Sequence, residues 1–348
     1  MKGFAVRPLV PKTAQVVEIS RPEPKPGEVL IEVLEVGICG TDAEINSGLY
    51  GEAPQGEEFL ILGHEVLGRL ENGDLVVPMV RRGCHTCRHC LRGEQDMCDS
   101  GSFTERGIKG IHGGLCEYIA EAPGMLIPVP PSARPYAVLL EPMSVVAKGL
   151  RHALLIQKRF QWEPHRALVT GAGPIGQLAT LYLRALGWEV VTAARKPKDS
   201  DKARRVAAAG ATYHSVGEAP LLSLSGGKPF DLIFEATGSA EAAFDSIQLL
   251  AANGVLCLTS ITGGDASKSL PVDRLNTGLV LGNKVIFGTV NANKQDFIDG
   301  LADFELIERV FPGALESLLT HRTGFADAGR LFEIAQSGIK TTFKMSAG

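Results

Sequence analysis

The N-terminal part of the chain carries short runs in which apolar and polar residues alternate. The two clearest runs, 14–19 and 28–33, are separated by a stretch rich in proline and glycine. Alternation with a period of two residues is typical of strands that bury one face, and prolines and glycines mark the turns between them. Similar runs follow at 60–62, 74–77, 115–120 and 126–129. The pattern predicts an antiparallel, barrel-like β domain.

From residue 167 onward the pattern changes to apolar strands that alternate with helices. A strand over 167–170 precedes a glycine-rich turn and a helix to Leu186, and a second helix is predicted over 202–209. Further strands are predicted at 188–194, 231–236, 254–259 and 284–290. This alternation predicts a parallel, doubly wound sheet. The last part of the chain predicts two helices and a final strand, at 297–309, 326–336 and 340–345.

The segment that joins these two regions, 135–152, is predicted to be helical, with an interruption at Glu141 and Pro142. Proline lacks a backbone N–H and therefore kinks or restarts a helix. Leucine, methionine and valine surround Glu141 in the sequence. We therefore expect its carboxylate either to be exposed by the break or to be buried with a cation, and a metal ion is the cation that we expect.

The composition is that of an ordinary globular protein. Among 348 residues, 45% are hydrophobic and 21% are charged, and the formal net charge is −4. This charge argues against a main role in binding nucleic acid or an anionic membrane surface. The sequence has neither an uninterrupted apolar stretch long enough for a membrane span nor a secretory signal at its N-terminus, so we expect a cytoplasmic enzyme. The length predicts two domains.

Four of the seven cysteines, Cys84, Cys87, Cys90 and Cys98, lie close together in a polar, basic segment. Four thiolates at this spacing suit a tetrahedral zinc ion, and a closed shell of four cysteines is structural and not catalytic. An iron–sulfur cluster is one alternative, but ferredoxin runs place the fourth cysteine closer and follow it with proline, not with Asp99. A nucleic-acid zinc ribbon is a second alternative, although a ribbon usually pairs two C-x2-C motifs across a longer gap. A disulfide framework would suit a small secreted domain.

Cys39, His64 and Glu65 form a second group of potential metal ligands. Zinc accepts thiolate, imidazole and carboxylate ligands, and a catalytic zinc keeps one position open for water or substrate. Glycines beside both clusters allow the tight turns that bring a backbone close to a metal. Because neighbours on a straight strand point to opposite faces, His64 and Glu65 can reach one ion only where the backbone bends. The alternative is a buried free cysteine with an unrelated His-Glu pair.

A glycine-rich turn lies between the strand at 167–170 and the helix that follows it. Its residues are Gly171, Ala172, Gly173, Pro174, Ile175 and Gly176. In this context the first glycine permits a tight turn, the second lets the backbone approach a pyrophosphate, and the third lets helix and strand pack closely. The phosphates would bind at the helix N-terminus, where free amides and the helix dipole favour negative charge. A turn without a ligand is the alternative.

The end of the next strand indicates which dinucleotide binds. NAD sites place an acidic residue there for the ribose 2′-hydroxyl, whereas NADP sites place an arginine there for the 2′-phosphate. Arg195 and Lys196 occupy this position, and the first acidic residue after them is Asp199. The guanidinium group of Arg195 can donate several hydrogen bonds to a phosphate. We therefore expect NADP to be preferred and NAD to be tolerated. The alternative is a solvated basic turn.

In the order of these motifs the chain resembles the zinc-containing medium-chain dehydrogenase/reductases over nearly its whole length. The motifs G-x-C-G-T-D at 37–42 and G-H-E at 63–65 precede the four cysteines and the glycine-rich turn, as in that family. Within the family the sequence is most similar to the bacterial and archaeal glucose dehydrogenases. Four segments carry that similarity: 81–84, 103–109, 140–142 and 290–293.

The resemblance implies an α/β fold with a GroES-like β-barrel catalytic domain and a Rossmann cofactor domain. The expected catalytic domain, with its structural zinc lobe, spans 1–145. The Rossmann dinucleotide-binding domain, a doubly wound parallel sheet, is expected at 146–292. The segment 293–348 is expected to return to the catalytic domain.

The resemblance also implies two zinc ions per chain. The catalytic zinc would be held by Cys39, His64, Glu65 and Glu141. The structural zinc would be held by Cys84, Cys87, Cys90 and Cys98. Cys116 and Cys257 match no metal position and are expected to be buried thiols.

The remaining implied roles concern the substrate and the cofactor. Thr41 matches the hydroxyl that passes the substrate proton outward, and Asp42 matches the acid that orients the histidine ligand. Residues that match positions contacting the sugar or the nicotinamide are Glu105, Glu141 and Asn291, and Thr237 is expected to contact the cofactor. Val80 is a departure, because some glucose dehydrogenases carry there an asparagine that binds a sugar hydroxyl.

The implied activity is oxidation of an aldose, glucose to gluconolactone, with hydride transfer to NADP or NAD. The oxygens of Glu65 and Glu141 can accept hydrogen bonds from hydroxyls, which suits a sugar better than an apolar alcohol. Oxidation of another polyol, of threonine or of a simple alcohol is the first alternative, and a non-catalytic family member is the second. We expect a sugar as the small-molecule partner, no nucleic acid or membrane partner, and a homo-oligomer, either a dimer or a tetramer.

Overall fold

The structure is a computed structural model that describes residues 1–263 and 265–345. The chain divides into two units. The first comprises Met1–Ser144, Asn291–Phe304 and Leu315–Gly348, and the second comprises Val145–Val290 and Glu305–Ala314. Among the described residues, no helix is both long and apolar enough to cross a membrane.

The N-terminal part of the first unit is the predicted β region. Its strands are β1 (Lys2–Val6), β2 (Gln15–Glu18), β3 (Val29–Ile38), β4 (Leu60–Ile61), β5 (Glu65–Arg69), β6 (Leu75–Pro78), β7 (Arg81–Arg82), β8 (Thr104–Arg106), β9 (Gly110–Ile111), β10 (Tyr118–Glu121) and β11 (Leu126–Val129). One short helix, α1 (Gly40–Asn46), follows β3. The pairs are antiparallel except for β8 with β9. Phe4, Ile31 and Val36 belong to the core of this unit, because alternate positions of these strands turn apolar side chains inward.

Helix α2 (Leu140–Gln157) corrects the predicted helix over 135–152. The first residues of the predicted segment are not α-helical, since Ala137–Leu139 form a separate 3-10 turn. The observed helix begins at Leu140 and continues beyond residue 152. Pro142 lies in the first turn of α2, where a backbone N–H has no intrahelical acceptor to lose. The expected interruption is therefore the start of the helix.

The second unit contains the predicted parallel sheet, which is confirmed. Its strands are β12 (Arg166–Thr170), β13 (Glu189–Ala194), β14 (Thr212–Ser215), β15 (Phe230–Glu235), β16 (Leu250–Leu258) and β17 (Val285–Gly288). They are all parallel, in the order β14-β13-β12-β15-β16-β17. The helices are α3 (Pro174–Ala185), α4 (Asp201–Ala208), α5 (Ala240–Leu249) and α6 (Val272–Leu281). Strand order reverses between β12 and β15, and such sheets bind ligands at that reversal, beyond the carboxyl ends of the strands.

The last elements are α7 (Lys294–Val310), α8 (Ala314–Ser317), β18 (Leu319–Thr323), α9 (Leu331–Ser337) and β19 (Lys340–Lys344). Within the first unit, β19 pairs with β3 antiparallel, and Thr342 lies opposite Gly37. Strand β18 continues this sheet as the parallel neighbour of β19. The final strand therefore lies beside the strand that leads to Cys39.

Candidate active site

Cys39, Asp42 and His64 meet where β3 ends and α1 begins. Cys39 precedes the helix, and its sulfur lies 3.2 Å from His64 Nε2. The carboxylate of Asp42 is fully buried and accepts hydrogen bonds from the backbone N–H groups of Cys39, at 3.0 Å, and Gly63, at 3.2 Å. Asp42 thereby fixes the two loops that carry the thiol and the imidazole. Thr41, in the same first turn, is half-buried.

His64, Glu65 and Glu141 offer a second set of ligand atoms, which lie within 4.8 Å of one another. Gly63 adopts φ +92°, a left-handed conformation that glycine accepts readily. A Cβ atom at this glycine would also lie 2.8 Å from a Val36 side-chain carbon. The bend that the sequence requires is therefore present, and it brings two neighbouring side chains to one place.

Lys340 is a residue of this group that the sequence did not reveal. It is 1% exposed, and its ammonium group forms an ion pair with the carboxylate of Glu65. Gly37, on the adjacent strand, leaves room for this pair, because a Cβ there would lie 2.8 Å from Lys340 Cε. No motif links a lysine of the last strand to a glutamate near the N-terminus, so only the pairing of β19 with β3 reveals it.

The close packing of these groups shifts their protonation. Burial raises the pKa of Glu141 to about 7, although His64 opposes the rise. Burial by itself lowers the pKa of His64, but the charges of Cys39 and Asp42 outweigh it and hold the pKa of His64 well above its usual range. The thiol of Cys39 and the carboxyl groups of Asp42, Glu65 and Glu141 crowd around His64, and such a buried site favours a bound cation.

The donor set fits a zinc ion. It combines thiol, imidazole and carboxylate groups, the ligand types that zinc accepts. His64 Nδ1 is buried without a hydrogen-bond partner among the described residues and lies 3.7 Å from Asp42 Oδ1. A histidine that binds a metal commonly turns its other ring nitrogen toward a carboxylate, so this geometry suits metal binding through Nε2.

The four clustered cysteines form a separate group on the first unit. The sulfurs of Cys84, Cys87, Cys90 and Cys98 lie within 4.8 Å of one another. The sulfur atoms of Cys84 and Cys90 are 3.8 Å apart, far beyond a disulfide bond of about 2 Å. Hydrogen bonding by the hydroxyl groups of Ser100 and Thr86 lowers the pKa of Cys84 to about 5, which favours the thiolate. Four sulfurs in this arrangement fit a tetrahedral zinc.

The other two cysteines are buried free thiols, as predicted. Cys116 is 2% exposed and Cys257 is fully buried. Burial raises the pKa of Cys116 to about 12 and raises that of Cys257 further. Neither belongs to a ligand group among the residues that the structure describes.

The glycine-rich turn of the second unit has the shape that a pyrophosphate needs. Gly171 adopts φ +103°, and a Cβ there would lie 2.4 Å from the carbonyl oxygen of Ala236. A Cβ at Gly176 would lie 2.0 Å from the carbonyl oxygen of Gly171, so the third glycine permits the close packing expected of it. Gly173 has open space beside it and precedes α3, whose N-terminal amides receive no side-chain cap. The residues fit a dinucleotide at this helix end.

Arg195 and Lys196 are exposed just after β13. Within 1–263 and 265–345, neither forms an ion pair with an acidic side chain. Lys202, which the sequence did not single out, is near them. Burial lowers its pKa, and the positive charges of Lys196 and Arg195 lower it further. Three cations in one place suit a doubly charged phosphate group.

Glu105 and Asn291 lie in contact within the first unit. Asn291 Nδ2 donates to Glu105 Oε1 at 2.8 Å, and Asn291 adopts φ +62°. Arg81 also binds this carboxylate, with its Nε atom 3.0 Å from Oε1. The guanidinium of Arg81 stacks over the ring of Phe103 at 4.0 Å, which fixes its orientation. Arg81 belongs to a segment that carries the family resemblance, but its contact with Glu105 was not predicted from the sequence.

Comparisons with known proteins cover both parts of the chain. The family described as "Alcohol dehydrogenase GroES-like domain" matches residues 25–131, and "Glucose dehydrogenase C-terminus" matches residues 134–345. The glucose 1-dehydrogenase of Methanocella arvoryzae is 48% identical over 336 residues, which cover 92% of this chain and 93% of that protein. Glucose 1-dehydrogenase 2 of Vulcanisaeta moutnovskia is 38% identical and covers 99% of both chains.

A solved structure matches the whole chain. Haloferax mediterranei glucose dehydrogenase, in complex with NADP, zinc and gluconolactone, superimposes with a TM-score of 0.93 at 31% identity and covers 100% of both chains. The expected fold, a GroES-like β-barrel domain with a Rossmann domain, is therefore confirmed. The chain belongs to the zinc-containing medium-chain dehydrogenases and, within them, to the glucose dehydrogenase family.

Proposed function

We propose that the protein oxidises glucose, or a closely related aldose, to the corresponding lactone and transfers a hydride to NADP. The observation that carries the substrate assignment is the Glu105–Asn291 pair. Its carboxylate and amide can also accept from and donate to the hydroxyl groups of a sugar, whereas an apolar alcohol has no further hydroxyl group to bind them. The presence of gluconolactone in the Haloferax mediterranei structure supports the same substrate class.

The catalytic zinc would be held by Cys39, His64, Glu65 and Glu141, whose ligand atoms belong to two groups that share His64. A bound zinc supplies Lewis acidity, which makes a substrate hydroxyl easier to deprotonate. Asp42 orients the imidazole and ties its loop to Cys39. Lys340 neutralises part of the negative charge through its ion pair with Glu65.

Thr41 is the residue that we assign to proton release. Its hydroxyl, in the first turn of α1, can accept a proton from the substrate hydroxyl and donate its own proton onward. The oxidation releases one proton for each hydride transferred, so a residue between the buried ligands and the surface is required. Thr41 is half-buried and lies two residues from Cys39, which suits this role.

The dinucleotide would bind on the second unit and supply the hydride acceptor. Its pyrophosphate would lie on the turn formed by Gly171, Gly173, Pro174, Ile175 and Gly176. Arg195 and Lys196, with Lys202, would bind the 2′-phosphate, and Thr237 lies beside the turn. NAD lacks that phosphate and is expected to bind more weakly.

We assign the four-cysteine cluster to a structural zinc that stabilises its lobe. We also propose a homo-oligomer, because α6 exposes three large apolar side chains. Val272, Val280 and Leu281 are 66%, 65% and 78% exposed. Several large apolar side chains exposed on one helix suit a protein–protein contact. Light scattering on the purified protein would give the assembly state, while the cytoplasmic location stays a prediction from the sequence.

A panel of substrates tests the assigned activity. The panel is glucose, galactose, xylose, sorbitol, threonine and ethanol. Among these substrates, glucose or a close aldose should give the highest kcat/KM for NADP reduction. A preference for threonine, sorbitol or ethanol would replace the sugar assignment while leaving the zinc dehydrogenase family intact.

Arg195→Ala tests the cofactor assignment. Loss of a charge-assisted hydrogen bond of about 1.5–3 kcal/mol should raise the KM for NADP about ten- to a hundredfold and leave the KM for NAD unchanged. Arg204→Ala, which removes a largely exposed arginine of α4, is the matched control. Equal effects on NAD and NADP would remove Arg195 from the 2′-phosphate site.

A further inference from the structure

Glu235 is a buried carboxylate that none of the roles above explains. It is the last residue of β15 and is 1% exposed. No described basic side chain lies within ion-pair distance of it. Burying a carboxylate without a counter-ion is costly unless hydrogen bonds satisfy it. The groups that donate hydrogen bonds to Glu235 therefore indicate its structural role.

Three donors meet the carboxylate. Oε1 accepts from the backbone N–H of Thr237 at 2.7 Å and from its hydroxyl at 2.5 Å. Oε2 accepts from the hydroxyl of Ser260 at 2.5 Å. Both oxygens are therefore used, and they bind two different loops. The loop after β15 contributes Thr237, and the loop after β16 contributes Ser260.

The network extends along both loops. Ser260 Oγ accepts from the backbone N–H of Gly238 at 2.9 Å, which links the loops directly. The hydroxyl of Thr237 accepts from the N–H of Ser239 at 2.9 Å, and the side chain of Ser239 caps α5. The carboxylate of Glu235 thus sets the path of residues 236–239 from the end of the strand to the start of the next helix.

This path passes the glycine-rich turn. A Cβ at Gly171 would lie 2.4 Å from the carbonyl oxygen of Ala236 and 3.5 Å from the backbone nitrogen of Thr237. Strands β12 and β15 are neighbours, and the strand order reverses between them. The loop held by Glu235 therefore forms one wall of the crevice in which doubly wound sheets bind dinucleotides.

We infer that Glu235 is a positioning residue for the dinucleotide, acting through Thr237 and Ser260. It fixes the loop wall opposite the phosphate-binding turn before the ligand arrives, which lowers the conformational entropy lost on binding. The inference rests on the proposed cofactor. It assigns no contact between Glu235 itself and the substrate.

Glu235→Gln is the direct test, with Asp231→Asn as a matched control. Glutamine keeps the shape but presents an NH2 group to donors that need an acceptor. Asp231 stands on the same strand, toward its amino end, where its Oδ2 accepts from the N–H groups of His165, at 2.9 Å, and Arg166, at 3.0 Å. Both variants neutralise a carboxylate of β15, but only Glu235 uses both of its oxygens as acceptors, and only Glu235 lies at the carboxyl end of the sheet.

The measurements are the Kd for NADPH by fluorescence titration and the Tm of the cofactor-free protein. Glu235→Gln should raise the Kd about ten- to a hundredfold, as expected for one or two lost hydrogen bonds to a charged group. The KM for NADP should rise with it, whereas kcat at saturating NADP and the KM for the sugar should change little. Asp231→Asn retains one acceptor oxygen for both of its donors and should keep the wild-type Kd.

Ser260→Ala keeps the test decisive if Glu235→Gln does not fold. It removes one donor to Glu235 and the acceptor of Gly238, and should raise the Kd for NADPH about three- to tenfold. Wild-type affinity in Ser260→Ala and in any folded Glu235→Gln protein would overturn the inference. Equal losses of affinity in the Asp231→Asn protein would also overturn it, since general destabilisation would then be the cause. Failure of the wild-type protein to bind NADPH would overturn the proposed cofactor itself.

Discussion

The two metal-ligand clusters of the first unit are assembled in opposite ways. The four cysteines lie between residues 84 and 98, and their sulfurs are brought together by local turns in which backbone N–H groups face sulfur, as from Cys87 to Cys84 at 3.3 Å. The other cluster, called the Cys39 cluster, consists of Cys39, Asp42, His64, Glu65 and Glu141 with the ion-pair partner Lys340. Its groups come from the end of β3, the start of α1, the start of β5, the start of α2 and the last strand. One cluster is a property of a short segment, and the other is a property of the folded unit.

Their chemistry differs in the same sense. A shell of four cysteines is closed and leaves no position for a substrate, which suits a structural ion. The Cys39 cluster mixes thiol, imidazole and carboxylates, is more deeply buried, and includes the counter-charge of Lys340. A mixture of thiol, imidazole and carboxylate ligands suits a catalytic ion. Ligand type and the spread of the ligands along the chain therefore distinguish the two clusters.

The largest expected effect concerns the Cys39 cluster. Cys39→Ser or His64→Ala should lower kcat/KM at least about a thousandfold, because several kcal/mol of transition-state stabilisation would be lost. The Tm should change little. Metal analysis should find two zinc ions per chain in the wild type and one in these variants.

Cys116→Ser is the control for this experiment, since Cys116 is buried and belongs to no ligand group in the described part of the chain. It should retain activity and both ions. A wild-type protein with one zinc, or with iron, would break the distinction between the clusters.

Substitutions in the four-cysteine cluster should lower the stability of the protein and leave the catalytic chemistry unchanged. Cys90→Ser should unfold the lobe and lower the Tm by about 10 °C or more, because a structural zinc contributes folding free energy directly. The remaining folded protein should keep the catalytic zinc. If Cys90→Ser preserved the Tm and lost only turnover, the assignment of roles would be reversed.

Lys340→Met sharpens the comparison, because Lys340 is a fully buried cation that forms an ion pair within the Cys39 cluster. Removing one partner of a buried ion pair leaves Glu65 uncompensated and should lower the free energy of unfolding of the metal-free protein by about 3–5 kcal/mol. Denaturant titration would measure it. Adding Glu65→Gln to this variant should restore most of the loss, and a double variant less stable than both single variants would show that the pair does not stabilise the fold.

The smallest expected effect lies at Glu105. Glu105→Ala should lower kcat/KM for glucose by an amount that corresponds to about 1–3 kcal/mol of lost transition-state stabilisation, because a sugar hydroxyl and Asn291 would lose their acceptor. Activity toward a short alcohol should hardly change. Glu117→Ala is the matched control, since this half-buried glutamate accepts from the backbone of Lys2 at 2.8 Å. Unchanged sugar kinetics in Glu105→Ala would remove this residue from the substrate site.

Several elements were predictable because their signals are local. The strand at Arg166–Thr170, the glycine-rich turn and α3 follow one another as the sequence predicts. Helix α1 was not predicted, because its seven residues carry no apolar periodicity and are stabilised by the contact of Asp42 with Cys39 N–H. Strand β14 was also missed, since Thr212–Ser215 is polar and lies at the edge of its sheet.

The sequence by itself determined the parallel sheet, the dinucleotide turn and the four-cysteine group, because each depends on residue types at short, fixed spacings. It also offered Cys39 and His64 as ligands, but only the fold brings these two residues together. Only the tertiary structure decided that Lys340 neutralises Glu65, that Arg81 supports Glu105, and that Glu235 joins the loops after β15 and β16. These partners are distant in sequence or lie on separate loops, and no periodicity connects them. Their contacts exist because strand pairing and burial bring charged groups together, where each must find a partner to be tolerated.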